Sequence, residues 1–302
     1  MIKRIFLNCK KPFRFIYFRS KAKFLNFTLN KNKWLYRPSS YPYLSGDTLR
    51  KFSHHIFDET NWNTNVKIKN DDVIFLNLEY LQSFLLEINI NNTDKSYKII
   101  AHNNDNEIND LFIDNLEFSN IDLWIQNLNV AERKNLHLIP IGFENRRYVK
   151  NGKIQNLNKI LNSNIEKKSI IISSFNSNTN IEERLPVEKL LNTIKYIDVL
   201  KFSSDEYLSS LSKYKFSICP PGNGLDTHRI WESLFTFTIP IVIKNNFSNN
   251  LLKNNIPCLV LNEWDELLDY DESTLEKLYE DYIKNYDFRI FTSFNYWWNR
   301  IN

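Results

Sequence analysis

The feature that most constrains the fold is an alternation of short apolar runs with longer amphipathic segments, which extends from about residue 72 to about residue 262. Each apolar run has the length and composition of a buried strand, and the segments between the runs are compatible with helices. Such alternation predicts α/β architecture, with parallel sheets covered by helices on both faces. The runs are DVIFLN, YKIIAHNND, IDLWIQN and LHLIPIGFEN in the first half, and KSIIISSF, YKFSICP, IPIVIKN and IPCLVLN in the second.

A polar stretch from 151 to 168 separates the two series of runs and has no strong pattern. We therefore predict two domains, 1–152 and 153–302, and a chain of 302 residues is long enough for each to have its own core. Within the second domain, IEERLPVEKLLNTI is expected to be a helix broken near Pro186. His54 and His55 are expected on the surface of an amphipathic helix.

The tail of the chain, STLEKLYEDYIKNYDF followed by FTSFNYWWNRI, predicts one or two helices. Trp297 and Trp298 would fit a membrane-interface belt. We favour aromatic packing of the tail against the rest of the fold, because large aromatic side chains bury the most area per residue.

Composition is typical of a folded soluble protein, with 42% hydrophobic, 15% aromatic and 25% charged residues. No apolar run reaches the length of a membrane span. The N-terminus is not expected to be a signal peptide, because lysine and arginine interrupt its apolar residues. Cys9, Cys219 and Cys258 are widely spaced and suggest no disulfide framework, which indicates a reducing compartment and a cytoplasmic protein.

The first 24 residues, MIKRIFLNCKKPFRFIYFRSKAKF, combine cations with aromatic side chains. A solvated edge strand with a charged rim is one interpretation of this segment. Peripheral contact with an anionic membrane is another. The net charge of the chain is only +4, which argues against a nucleic-acid partner.

The stretch CPPGNGLDTHRIWESL, residues 219–234, places two of the five glycines and two of the nine prolines in a turn after a predicted strand. In open α/β sheets, ligands bind beyond the carboxyl ends of strands, and anions bind at the N-termini of the following helices. We predict Asp226 as the N-cap of a helix that starts at Thr227, which puts His228 and Arg229 in its first turn. Cations are disfavoured there by about 0.3–1 kcal/mol, so their placement favours a bound anion such as a diphosphate.

Gly222 and Gly224 can adopt positive φ and allow a ligand close to the main chain. Glu232 lies one helical turn beyond Arg229, where it could accept hydrogen bonds from a ribose diol. A simple surface pair of Arg229 and Glu232 is the alternative. The glycine spacing matches neither a dinucleotide fingerprint nor a P-loop, which indicates a ligand other than NAD or ATP.

The run CPPGNGLDTHRIWESLFTFTIPIVI resembles the nucleotide-sugar-binding motif of exostosin-like glycosyltransferases, whose GT-B fold has two Rossmann-like domains facing a central cleft. SGDTLR, AHNNDNEI, WIQNL, IPIGFEN and SSFNSNTNIEER are similar to further segments of that family, so the resemblance spans most of 45–262. SLFTFTIPI departs from the family, whose members tend to have small residues and glycine before this strand.

The resemblance implies transfer of a sugar from a nucleotide-sugar donor, UDP-linked, to a glycan or glycolipid acceptor, with inversion and without a metal or other cofactor. It implies a donor site in the C-terminal domain and a C-terminal helix that packs back on the N-terminal domain. The expected donor-site residues are Gly222, Asn223, Gly224, Asp226, Thr227, His228, Arg229, Glu232, Arg184 and Ser174. Among these, the 222–224 backbone would approach the diphosphate, Arg229 and Arg184 would neutralise it, and Glu232 would hold the ribose.

The acceptor side is expected to include Gly142, Glu144 and Asn145. Asp105, Asp47 and His102 are the candidates for the base that removes the acceptor proton. Each has a structural alternative, as a helix N-cap for the two aspartates and as a satisfied loop residue for the histidine.

Three other functions remain open at this point. The protein could be a retaining GT-B glycosyltransferase, or a nucleotide- or carbohydrate-binding protein that has lost turnover. It could also be a membrane- or RNA-associated scaffold that uses the basic N-terminus.

Overall fold

The computed structural model describes residues 37–61, 67–91, 95–116, 120–148 and 151–302. The basic N-terminal segment and Cys9 lie outside these ranges. The described residues form two five-stranded parallel sheets, which confirms the predicted α/β class and is compatible with two Rossmann-like domains. The first sheet contains β1 (His55–Phe57), β2 (Val73–Asn77), β3 (Tyr97–His102), β4 (Ile121–Ile125) and β5 (Leu136–Leu138) in that spatial order. The second contains β6 (Ser169–Ser173), β7 (Ile197–Val199), β8 (Tyr214–Ile218), β9 (Ile239–Ile243) and β10 (Leu259–Leu261) in the order β7-β6-β8-β9-β10.

Helices connect the strands in both halves. They are α1 (Gly46–Phe52), α2 (Leu81–Asn91), α3 (Asp110–Ile113), α4 (Ile154–Leu161), α5 (Ile181–Leu191), α6 (Tyr207–Leu211), α7 (His228–Phe235), α8 (Asn246–Lys253), α9 (Glu272–Asn285) and α10 (Phe294–Ile301). Short 3-10 helices occur at Leu78–Tyr80, Ser177–Thr179, Trp264–Asp269 and Phe288–Thr292.

All eight apolar runs contain the strands that were predicted for them. Most of their side chains are buried because a parallel sheet is covered on both faces, and strands such as β2 and β9 are almost continuously apolar. The helix prediction for His54 and His55 is wrong, because α1 ends at Phe52 and His55 begins β1. His55 pairs with Ile74 in the sheet, and its Nε2 lies 2.8 Å from an oxygen of Asp72.

The chain order reverses in the second sheet, because β7 and β8 both flank β6. A crevice therefore opens where the connections from β6 and β8 leave the sheet in opposite directions. Ser173 and Ile218 are the last residues of these two strands. The described strands of the first sheet follow chain order.

Helix α5 continues through Pro186, so the predicted break is absent. The hydrogen bond that a proline lacks at this position would go to the carbonyl of Glu182. Glu182 and Pro186 are both exposed, so water can hydrate that carbonyl.

The C-terminal helix α10 packs on α1 of the first half, as predicted. The ring of Phe294 lies 4.4 Å from that of Phe52, and Trp297 is fully buried with its indole 6.5 Å from that of Trp231. Trp297 is therefore a core residue, as the packing interpretation predicted. Among the described residues, no helix combines the length and the apolar character needed to cross a membrane.

Buried side chains of both halves belong to one continuous apolar cluster, which includes Ile139 from the first half and Trp231 from the second. The chain passes from the first sheet to the second between Leu138 and Ser169, and this interval contains the predicted boundary at 152/153. It also contains α4, which packs on α6 of the second half.

Helix α7 ends at Phe235, just before the segment that leads into β9. Thr238 N–H donates to Ser233 O at 2.9 Å and Phe237 N–H donates to Leu234 O at 3.1 Å, which is the Schellman arrangement. Phe237 has a φ of 55°, a conformation that glycine adopts most readily. An aromatic residue thus occupies the left-handed position that glycine usually fills at the end of a helix.

Candidate functional site

A cleft of about 800 Å³ lies between the two halves. Residues that follow β6 and β8 line one side of it, so it lies at the point where the strand order reverses. Open α/β sheets bind their ligands at this position. Eleven of the predicted site residues line the cleft, namely Asp105, Glu144, Ser174, Arg184, Asn223, Gly224, Asp226, Thr227, His228, Arg229 and Glu232. Five others, Asp47, His102, Gly142, Asn145 and Gly222, are not part of the lining.

Arg184 supports the loop that follows β8. Its side chain is 4% exposed and donates to three main-chain carbonyls, those of Pro221 at 2.7 Å, Asn176 at 3.1 Å and Pro220 at 3.3 Å. A Cβ at Gly222 would lie 2.9 Å from Nη2 of Arg184. Glycine is needed there because the guanidinium approaches closely. Neither Gly222 nor Gly224 has the positive φ that was expected. The hydrogen bonds of Arg184 show that its first role is to hold this loop.

Asn127 and Asp226 attach the same loop to the first half of the molecule. Asn127 Oδ1 accepts the Asp226 N–H at 2.8 Å, and a Cβ at Gly224 would lie 2.8 Å from the Asn127 amide group. The carboxylate of Asp226 accepts hydrogen bonds from Ile141 N–H at 2.6 Å and from Trp231 Nε1–H at 2.7 Å.

The prediction that Asp226 caps α7 is therefore wrong. The helix begins at His228, and its N-cap is Thr227, whose side chain makes no capping hydrogen bond. Asp226 has turned away from the helix end to bridge the two halves, and it is 3% exposed. Burial raises the pKa of its carboxyl group to about 7, against the opposing effect of its N–H donors.

Two cationic side chains meet at this end of the cleft. Arg229 donates from Nε and Nη2 to the carbonyl of Ser174, at 3.1 and 2.7 Å, while Arg184 binds the carbonyls already described. Burial, followed by the charge of Arg229, lowers the pKa of Arg184 to about 10, so both groups are charged at neutral pH. Within the described ranges, neither guanidinium lies within salt-bridge distance of a carboxylate. Their positive charge is available to an anion.

Glu232 lies one turn further along α7 and lines the cleft. Its carboxylate accepts no hydrogen bond from the described residues, and burial raises its pKa. A half-buried carboxylate without donors is suited to accept hydrogen bonds from ligand hydroxyl groups. This arrangement does not match the alternative of an exposed surface pair with Arg229.

His228 contacts the opposite wall of the cleft. Its Nδ1 lies 2.7 Å from the carbonyl oxygen of Gly142, and its Nε2 lies 3.6 Å from Oε1 of Glu144. Gly142 has a φ of 65°, and a Cβ there would lie 2.4 Å from the carbonyl oxygen of Leu44. Gly142 thus acts through its main chain, and His228 joins the predicted donor and acceptor sides.

No protein-family model matches the chain, and no curated protein matches it significantly.

Asp47 is fully buried and does not reach the cleft, which contradicts its assignment as a candidate base. Its Oδ1 lies 3.4 Å from Nη1 of Arg37 and 3.8 Å from Nη1 of Arg147. Burial raises its pKa to about 6, and the charge of Arg37 opposes that shift. Asp47 is also not the cap of α1, since Ser45 occupies that position.

His102 is 1% exposed and is likewise separated from the cleft. Its Nδ1 accepts the Asn103 N–H at 2.8 Å, so its Nε2–H donates to Pro140 O at 3.0 Å. Burial lowers its pKa to about 4, which keeps the ring neutral. Asn145 is buried in the same network, where it accepts the Asp47 N–H and donates to the Asn103 side chain. His102 and Asn145 are therefore structural residues, and neither fits its predicted role.

Asp105 is the one predicted base that lines the cleft, and its side chain is exposed. Three residues that the sequence did not identify also contribute to the site. Asn127 lies two residues after β4 and has a φ of 58°. Tyr207 lies under the Arg229 guanidinium at 5.8 Å, and Lys153 lines the cleft beside Asp205. An asparagine in the loop after a strand is a weak signal that could have identified Asn127, and no signal marks Tyr207 or Lys153.

The described residues contain no group of three or more His, Cys, Asp or Glu side chains that could hold a metal ion. Cys219 and Cys258 are free and buried, and burial raises their pKa values to about 11 and about 12, so both are thiols at neutral pH. Metal-independent chemistry stays a prediction.

Proposed function

We propose that the chain is a GT-B glycosyltransferase that transfers a sugar from a nucleoside diphosphate donor, UDP-linked, to a glycan or glycolipid acceptor with inversion. The observation that carries the proposal is the pair of guanidinium groups at the carboxyl ends of β6 and β8, neither of which has a carboxylate of the described residues within salt-bridge distance. A diphosphate supplies the missing negative charge. Arg184 has five N–H groups and uses two on the loop after β8 and one on Asn176 after β6, which leaves two for a ligand.

The end of α7 adds to this attraction. The Thr227 side chain makes no capping hydrogen bond, so the first N–H groups of the helix have no side-chain acceptor. A phosphate oxygen at this position would accept from those groups and would benefit from the helix dipole. Glu232, one turn away, would accept from the ribose hydroxyl groups.

The leaving nucleoside diphosphate carries most of the charge that develops in the transition state. Arg229, Arg184 and the helix end would stabilise that charge from fixed positions, without need for a metal in this proposal. The acceptor would enter from the wall formed by Phe143 and Glu144, opposite the donor loop.

A non-catalytic nucleotide- or carbohydrate-binding protein is the second candidate. The observation in its favour is that two of the three predicted bases, Asp47 and His102, are buried away from the cleft. Such a protein would bind UDP and release none from any UDP-sugar. A retaining transferase would differ from the proposed one in the anomer of its product, which NMR determines.

A thermal-shift panel of nucleotides and nucleotide sugars tests the proposed function. A ligand at one hundred times its dissociation constant stabilises by about 2.7 kcal/mol. We expect UDP to raise the melting temperature of the wild-type protein and to have a much smaller effect on Arg229→Gln. Arg300→Gln on α10 is the control, because Arg300 binds Asn254 and does not line the cleft. If no nucleotide stabilises the protein, or if UDP stabilises Arg229→Gln equally, the proposal is wrong.

A further inference from the structure

The ring of His228 is held in one tautomer by its contact with the first half. Nδ1 lies 2.7 Å from the Gly142 carbonyl oxygen, and a carbonyl can only accept a hydrogen bond. The proton of the neutral ring is therefore on Nδ1, and the lone pair is on Nε2. Since His228 lines the cleft between the two halves, it presents a proton acceptor there.

The carbonyl that orients this ring is itself fixed. Gly142 has a φ of 65° and forms an antiparallel bridge with Ser45. A Cβ at Gly142 would lie 2.4 Å from Leu44 O, so another residue would displace the main chain. In this conformation the Gly142 carbonyl oxygen lies 2.7 Å from Nδ1 of His228.

Negative charge lies on the Nε2 side of the ring. Oε1 of Glu144 is 3.6 Å from Nε2, and the carboxyl groups of Glu232 and Asp226 also interact electrostatically with the ring. The buried His102 also interacts electrostatically with His228. A carboxylate at this distance stabilises the imidazolium that forms when Nε2 takes a proton.

Asp105 offers a poorer geometry for the same task. It lines the cleft, but it is exposed, and no hydrogen bond from the described residues fixes its carboxylate. A base that is oriented by a second group is the common arrangement in acid–base catalysis. The histidine meets this condition through Gly142, and the aspartate does not.

We infer that His228 is the general base of the transfer, with Gly142 and Glu144 as positioning residues; this inference rests on the proposed function. The acceptor oxygen forms a bond to the anomeric carbon while its proton moves to Nε2 of His228. The bond between the anomeric carbon and the diphosphate oxygen breaks, and its electron pair leaves with the nucleoside diphosphate beside Arg229. The imidazolium, next to Glu144, then returns its proton to water.

The test compares His228→Asn with Asp105→Asn. Asparagine at 228 keeps an N–H donor close to the position of Nδ1 but lacks Nε2. Two measurements are made on each protein, namely UDP binding by thermal shift and UDP release from UDP-glucose, UDP-galactose and UDP-N-acetylglucosamine with an oligosaccharide mixture as acceptor. We expect His228→Asn to bind UDP within about threefold of the wild type and to release UDP about 100-fold more slowly or worse. Asp105→Asn should lose less than tenfold.

Glu144→Gln tests the positioning role. The imidazolium loses its carboxylate neighbour in this variant, so UDP release should be slower while UDP binding is unchanged, and Glu144→Asp should recover part of the rate. Long-range ¹H–¹⁵N spectra of the wild-type protein should show the Nδ1–H tautomer for His228, and an Nε2–H ring would overturn the inference.

The outcomes separate the two claims. If UDP binds and His228→Asn retains more than a tenth of the wild-type rate, the base assignment is wrong and the transferase stands. If UDP binds and no sugar nucleotide is turned over, the protein is non-catalytic and has no base. If UDP does not bind to the wild type, the proposed function fails and the inference fails with it.

Discussion

Replacement of Arg184 by methionine should destabilise the protein less than the same replacement of Arg50. The two arginines are matched in burial, since each is 4% exposed. Arg50 donates from Nε to the buried carboxylate of Asp58 at 2.6 Å, whereas Arg184 binds only main-chain carbonyls. Methionine retains much of the side-chain length and apolar surface in both cases, so the comparison isolates the charge.

The expected magnitudes follow from what each replacement leaves behind. Arg184→Met removes three hydrogen bonds from a charged donor, which contribute about 1.5–3 kcal/mol each. It also removes an unpaired buried cation, and this recovers several kcal/mol of desolvation cost. We expect a net loss of about 1–3 kcal/mol. Arg50→Met leaves the Asp58 carboxylate buried without its partner, which typically costs about 3–5 kcal/mol.

Urea denaturation of the wild type and both variants, in a buffer free of phosphate and sulfate, measures these losses. The predicted result is a smaller decrease in the free energy of unfolding for Arg184→Met, by about 2 kcal/mol. An equal or larger decrease for Arg184→Met would refute the reasoning, because it would mean that the Arg184 charge is compensated in the folded protein.

Two further predictions concern the attachment of the loop that follows β8 to the first half. Gly224→Ala should lower the melting temperature and weaken UDP binding, because the added Cβ would lie 2.8 Å from the Asn127 amide. The double variant Gly224→Ala/Asn127→Ala should recover part of the lost stability. If the losses of the two single variants add strictly, the contact with Asn127 is not the cause. Asp226→Asn should alter the dependence of stability on pH. The pKa of Asp226 is raised to about 7 in the folded protein, so its contribution is fully present below its unfolded value of about 4 and is lost as the pH rises through about 7. The free energy of unfolding of the wild type should therefore fall more steeply from pH 5 to pH 8 than that of Asp226→Asn. Urea denaturation at each pH measures both curves, and parallel curves would show that Asp226 does not contribute to the pH dependence.

The strands were predictable because a strand buried on both faces must be apolar throughout. Runs such as VIFLN and SIIIS have the length and the apolar composition of such strands. Strands β1 and β7 have only three residues each and include the polar His55 and Asp198, so they leave no comparable pattern. Their positions are set by pairing with a neighbouring strand, which a local sequence pattern does not contain.

The position of the candidate site was predictable from the glycine and proline loop, because residues of that loop line the cleft. The contacts of individual residues were not predictable. Asp226 has the local pattern of an N-cap, but its partner is the N–H of Ile141, 85 residues earlier. Asp47 and His102 occupy polar segments like those of functional loops, and only contacts with Arg37 and Pro140 show that they are buried. Burial and long-range pairing decided these three cases.

The structure of the protein with UDP bound tests the central claim most directly. The account predicts that the diphosphate lies at the carboxyl ends of β6 and β8, with its oxygens within hydrogen-bond distance of the Arg229 guanidinium and of the first N–H groups of α7. The nucleotide in another pocket, or a cleft that stays empty at saturating UDP, would contradict it.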